Sequence, residues 1–198
     1  MTQDTRQILL QAGYDAFMEH GYHGAGLSDI LARAGVPKGS FYHYFKTKEI
    51  FLIEVLGFYR QIAGEKMMTF LQDDTRPALE QLEAYMRAGI TQCDEQKCRG
   101  GCLAGNMAQE VSDISEELRA YIRSCMQDWL EGIEQFFMKA QAQKSLCLDH
   151  DTKALANMFV DGWQGALLRM KVEKTVDPLE RFLNSFFKIL NMEGRQFA

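Results

Sequence analysis

Apolar residues recur along this chain at intervals of three and four, the period of an amphipathic helix, and strand-like alternation of β-branched residues is scarce. The first such stretch predicts a helix from about Asp4 to His20, with Asp4 or Thr5 as cap and Ile8, Leu9, Ala12, Ala16 and Phe17 on one buried stripe. Gly21 follows where a left-handed residue ends a helix most cheaply. Ser28 reads as the cap of a second, two-turn helix that Gly35 stops, and Pro37 stands where a third begins. That third helix, Lys38 to about Tyr44, is very short. A fourth opens at the capping residue Thr47 and turns Phe51, Leu52, Val55, Leu56 and Tyr59 inward. Longer amphipathic helices follow near 75–96, 103–110, 115–141, 152–171 and 177–190. Ser115 and Asp151 look like caps, and Pro178 falls in the tolerant first turn of the last helix. The three glycines between Lys97 and Gly105 mark the clearest loop.

Two short helices joined through a glycine and braced by longer ones describe a helix-turn-helix in a small bundle. The expected architecture is all-α, about nine helices. An N-terminal three-helix DNA-binding domain covers 1–48 and continues into a connecting helix, 48–71. A C-terminal ligand-sensing and dimerisation bundle covers 72–198.

Composition narrows the function. Hydrophobic residues make up 46% and charged residues 25%, as in a soluble globular protein, and no apolar stretch approaches a membrane span. No signal peptide is apparent. With five cysteines, an odd number, the expectation is free thiols in the cytoplasm. The net charge of −5 argues against indiscriminate nucleic-acid binding. Yet the segment Arg33 to Lys48 carries Arg33, Lys38, Lys46 and Lys48 and no acidic residue. A basic patch on an acidic body suits a protein that touches DNA with one part only.

Within that segment Phe41 and Phe45, four apart, can share the core, which leaves Lys38, Ser40, Tyr42, His43 and Tyr44 outward or on the flanks. Hydroxyls donate to phosphate, lysine supplies charge, and Gly39 lets the backbone come close. Lys48 can add a phosphate contact at the head of the fourth helix. The alternative is an ordinary aromatic core under a solvated lysine face.

The run Gly35-Val36-Pro37-Lys38-Gly39-Ser40-Phe41-Tyr42-His43-Tyr44-Phe45-Lys46-Thr47-Lys48-Glu49 closely resembles the signature of the TetR-family DNA-binding domain. The resemblance implies that the short third helix enters the major groove. Positions matching Lys38, Gly39, Ser40, Tyr42 and His43 then meet bases or phosphates, and those matching Ser28, Tyr44 and Lys48 meet the backbone. It also implies a homodimer on a palindromic double-stranded operator, with half-sites about 34–36 Å apart, and a small-molecule inducer. Its two C-terminal helices are candidates for the dimer interface through Phe159, Trp163, Leu167, Phe182 and Phe186. Phe58, Tyr59, Tyr85, Met86, Met107, Trp129 and Trp163 are candidates to line a ligand pocket, or else ordinary core.

Cys102 follows Gly100-Gly101 at a predicted helix start, a position that favours a thiolate. Gly101-Cys102-Leu103-Ala104-Gly105-Asn106-Met107-Ala108-Gln109-Glu110 resembles a motif of the TetR branch that includes the repressor of N-ethylmaleimide reductase. Gly165-Ala166-Leu167-Leu168-Arg169-Met170-Lys171 and Asp177-Pro178-Leu179-Glu180 extend the likeness. By that resemblance Cys102 is a thiol sensing electrophiles or oxidants, with Lys171 a nearby amine. Three other readings stand beside it. Cys102 can be a small buried hydrophobe, Cys93, Cys98 and Cys102 can supply three thiolates to a metal, or the inducer can bind non-covalently. A thiol enzyme is the remaining class, but no Cys-x-x-Cys, phosphate loop, His-Glu-x-x-His or nucleophile elbow occurs, so no catalytic residue, cofactor or metal is assigned.

Overall fold

The computed structural model describes residues 4–193, with side chains described through Leu190. Among the described residues there are nine helices and no strand: α1 (Thr5–Gly24), α2 (Leu27–Ala34), α3 (Lys38–Tyr44), α4 (Lys48–Leu71), α5 (Ala78–Glu95), α6 (Leu103–Val111), α7 (Glu116–Ala142), α8 (Thr152–Glu173) and α9 (Asp177–Glu193). The all-α expectation and the helix order hold.

The local chemistry of the ends mostly matches. Asp4 caps α1 by accepting from the Arg6 N–H, and Asp151 caps α8 by accepting from Lys153 and Ala154. Ser115 accepts from the Leu118 N–H, and Thr47 Oγ1 from that of Ile50 at 3.1 Å. Gly35 ends α2 in the left-handed region, its N–H on the carbonyls of Leu31 and Ala32. Ser28 departs from expectation. Gly26 is the N-cap of α2 and makes no side-chain cap, so Ser28 lies one residue inside the helix and faces solvent. The capping charge comes from Asp29, whose carboxylate folds back beside Gly26 at the positive helix end.

The described residues pack as two compact units, 4–63 with 102–126 and 64–101 with 127–193. The first collects α1, α2, α3, the start of α4, α6 and the start of α7 around Leu9, Phe17, Ile30, Phe41, Phe45, Phe51, Leu56, Met107 and Ile122. α6, expected with the C-terminal helices, therefore packs with the N-terminal ones and lies against α1.

The second unit is built on Leu82, Met86, Phe136, Phe137, Phe159, Leu183 and Phe186. Rings of α7, α8 and α9 meet there, Phe159 to Phe186 at 4.8 Å and Phe137 to Phe186 at 6.0 Å. Gln81 is buried and holds the α4–α5 turn through the carbonyls of Asp73 and Arg76.

Phe41 is fully buried against Phe45 and Phe51, with ring centroids 5.4 and 5.1 Å apart. Truncating a buried phenylalanine costs about 3–5 kcal/mol. Phe41→Ala is therefore expected to lower the chemical-denaturation midpoint sharply and to unfold the first unit before the second, read as two transitions in place of one.

Candidate nucleic-acid interface

Seven residues are too few for a stable isolated helix. α3 exists because Phe41 and Phe45, four residues apart, wedge into the first unit's core from one side of it. Everything else on it is left facing outward. Lys38, Gly39, Tyr42, His43 and Tyr44 are exposed and Ser40 is half-buried. Tyr42 shows 52% of its surface, an unusual display for an aromatic ring with an adjacent core. The sequence-predicted contact set is thus gathered on one short helix, with Ser28 exposed on α2.

Lys48 is placed otherwise. Its Nζ donates to the Tyr22 carbonyl at 2.5 Å and sits 4.6 Å from the Tyr22 ring centroid, half-buried at the head of α4. Burial draws its pKa below that of a free lysine, and the charge of Glu110 pulls the other way.

Cys102 is the N-cap of α6 and half-buried. Its sulfur accepts from the Gly105 N–H at 3.4 Å and from the Tyr59 hydroxyl at 3.5 Å, and Tyr59 stacks on Tyr14. The Tyr59 contact escaped sequence reasoning, which placed that residue on the inward stripe of the fourth helix and in a candidate pocket; no short-range pattern links positions 43 apart. In the second unit, the Lys171 stem runs beside Gly101, the residue preceding Cys102 in the chain.

Cys93 and Cys98 are buried at the end of α5. The Cys98 N–H meets the Cys93 carbonyl at 2.9 Å and the Lys97 N–H meets that of Asp94 at 2.8 Å, a Schellman closure with Lys97 where glycine is usual. Among the described residues no group of three or more His, Cys, Asp or Glu is arranged to hold a metal, so the three-thiolate alternative is not assembled.

Of the expected dimer residues, Phe159, Trp163, Leu167 and Phe186 are buried within the second unit's own core and Phe182 is half-buried. Their area is already consumed by packing within the chain. The candidate pocket residues divide between the units, Phe58, Tyr59 and Met107 in the first and Tyr85, Met86, Trp129 and Trp163 in the second. No helix among the described residues is long and apolar enough to cross a membrane.

A short polar helix propped on an aromatic wedge and preceded by a glycine turn defines a helix-turn-helix protein. Residues 9–55 match the family model for bacterial regulatory proteins of the tetR family, and 78–186 match the tetracyclin repressor-like C-terminal domain. The chain belongs to the TetR family of transcriptional regulators. It is 35% identical over 185 residues to the HTH-type transcriptional repressor DhaR of Mycobacterium sp. (strain GP1), covering 93% of this chain and 91% of that one. It is 32% identical over 184 residues to the repressor NemR of Escherichia coli (strain K12), covering 91% and 90%. The crystal structure of the reduced form of E. coli NemR superposes with a TM-score of 0.85 at 30% identity, covering 93% and 95%. A TetR regulatory protein from Rhodobacter sphaeroides gives 0.88 at 35%, covering 93% and 97%.

The cysteines should differ in reactivity. Cys147 is exposed, Cys102 half-buried, and burial pushes the Cys93 thiol up to about 11. Brief iodoacetamide pulses at pH 7.5, followed by peptide mass spectrometry, are expected to label Cys147 first, Cys102 next and Cys93 last. Because the thiolate is the reactive form, the Cys93 rate should keep rising with pH up to about 11.

Proposed function

We propose that this protein is a homodimeric repressor that grips a palindromic operator with α3 and leaves it when an inducer acts, and that the inducer is an electrophile or oxidant attacking Cys102. The observation that carries the DNA reading is the outward set Lys38, Gly39, Ser40, Tyr42, His43 and Tyr44 on a helix whose other side is fully engaged in core. Lys38 and the hydroxyls of Ser40, Tyr42 and Tyr44 serve phosphates, Gly39 gives close approach, and His43 and Ser40 are in position for base edges. The acidic remainder of the molecule keeps binding confined to this part.

A helix-turn-helix this small gains affinity by engaging two half-sites. The support for a dimer is an exposed stripe on α8. Ala154, Met158, Gly165, Leu168 and Val172 recur at helical spacing and face solvent, Leu168 with 53% and Val172 with 77% of its surface open. Beside it a groove of about 350 Å³ runs between α8 and α9, lined in part by Gly162, Gly165, Arg181 and Phe182. The aromatic residues first expected at the interface lie beneath this face and support it.

The sensor reading draws on the two donors to the Cys102 sulfur and on the likeness to the repressor NemR, whose crystal structure is that of a reduced form. Toward a maleimide the thiolate adds to one alkene carbon, the S–C bond forms, and the adjacent carbon takes up a proton from water. A non-covalent inducer is the second reading, favoured by the half-buried aromatic residues of the helical core.

The decisive experiment is a titration of the protein against a duplex it selects from a randomised pool, with and without N-ethylmaleimide. Wild type should bind and be released, while Cys102→Ser should bind and resist. Release of both proteins alike would sink the thiol switch. Lys38→Ala should weaken binding and flatten the slope of log affinity against log salt by about 0.9, the value of one phosphate contact. In light scattering, Leu168→Glu with Val172→Glu should turn the dimer into a monomer without loss of helix signal.

A further inference from the structure

α1 is interrupted before it ends. At Gly21 the backbone takes φ 72 and ψ 179, a conformation open only to glycine, and one more turn, Tyr22–Gly24, follows. That turn is closed by the Ala25 N–H on the Gly21 carbonyl at 3.1 Å. The first N–H groups of a helical turn have no partner within it, and the side chain of the preceding residue usually accepts them. Gly21 has no side chain to offer. Glu110, near the end of α6, supplies one from a distance of 89 positions in sequence. Its carboxylate occupies the space where a β-carbon on residue 21 would stand, and its Oε2 accepts from the His23 N–H at 3.1 Å. The same turn is grasped from its other pole, since Lys48 at the start of α4 donates to the Tyr22 carbonyl at 2.5 Å. Glu110 and Lys48 attract one another across it. α1 with its last turn, the start of α4, and α6 all lie in the first packing unit.

We propose that Glu110 is a positioning residue of the DNA-binding head, acting as the missing N-cap of the turn after Gly21. Through that cap α6 holds the turn on which Lys48 is anchored, and so fixes the start of α4 against α1 on either side of the reading helix. The inference rests on the operator-binding reading above and names the contact through which that site is governed.

The test combines amide hydrogen exchange on the full-length protein without DNA with titration against the selected duplex. Glu110→Ala should speed exchange at His23 and weaken operator binding, each roughly tenfold, the worth of a charge-assisted hydrogen bond. Glu110→Gln, whose amide oxygen still accepts, should keep both within about threefold of wild type. Gly21→Ala should evict the carboxylate and strain a backbone that only glycine adopts, so His23 should exchange at least as fast as in Glu110→Ala, and adding Glu110→Ala to it should cause little further loss, because the contact is already gone. His23 protection unchanged in Glu110→Ala would overturn the cap. Protection lost with operator affinity intact would overturn its role in DNA binding. If wild type selected no duplex at all, the operator reading would fall, and His23 exchange would still decide the cap.

Discussion

Burial of Phe41 and Phe45 is the interaction on which the rest depends. A seven-residue helix has almost no stability of its own, since nucleation costs more than two turns return. Placing two rings four residues apart against Phe51 converts α3 into an outcrop of the core. The polar residues between them are then oriented by a rigid scaffold without stabilising anything themselves. That division frees Lys38, Ser40, Tyr42 and His43 to be chosen for what they touch outside the protein.

Much of this was written locally in the sequence. Helical periodicity, Asp151, Thr47 and Gly35 depend on neighbours within one turn, and each appears in the structure where its chemistry requires. The outward set on α3 was legible for the same reason, because Phe41 and Phe45 leave only one way to orient it. The failures have a different physical character. Ser28 is a good capping residue, but Gly26 can cap the helix two residues earlier with Asp29 folding back to help, a choice that local propensity does not resolve. The apolar stripes of α8 and α9 were visible, yet no pattern says whether a stripe faces its own chain or another. Phe159, Trp163 and Phe186 proved to serve the chain itself, and the open stripe runs through Met158, Leu168 and Val172 instead.

Contacts that join distant segments were the least legible. Tyr59 donating to Cys102, Glu110 reaching the turn after Gly21, and Lys48 turning in to Tyr22 each link residues between 26 and 87 positions apart. The residues themselves were noticed or noticeable, a tyrosine, a glycine, a lysine at a helix start. Their partners were set by the way α1, α4 and α6 pack on a shared core, which arises from hydrophobic burial across the first unit and not from any short motif.

The occupation of the Gly21 space by a carboxylate from α6 also bears on how this sequence can drift. A side chain larger than hydrogen at 21 collides with Glu110, and a shorter residue at 110 gives up the charged acceptor of the His23 amide to water. Neither position can change first without loss, so the two are inherited as a single character, and a descendant that abandons one should be found to have rebuilt the other.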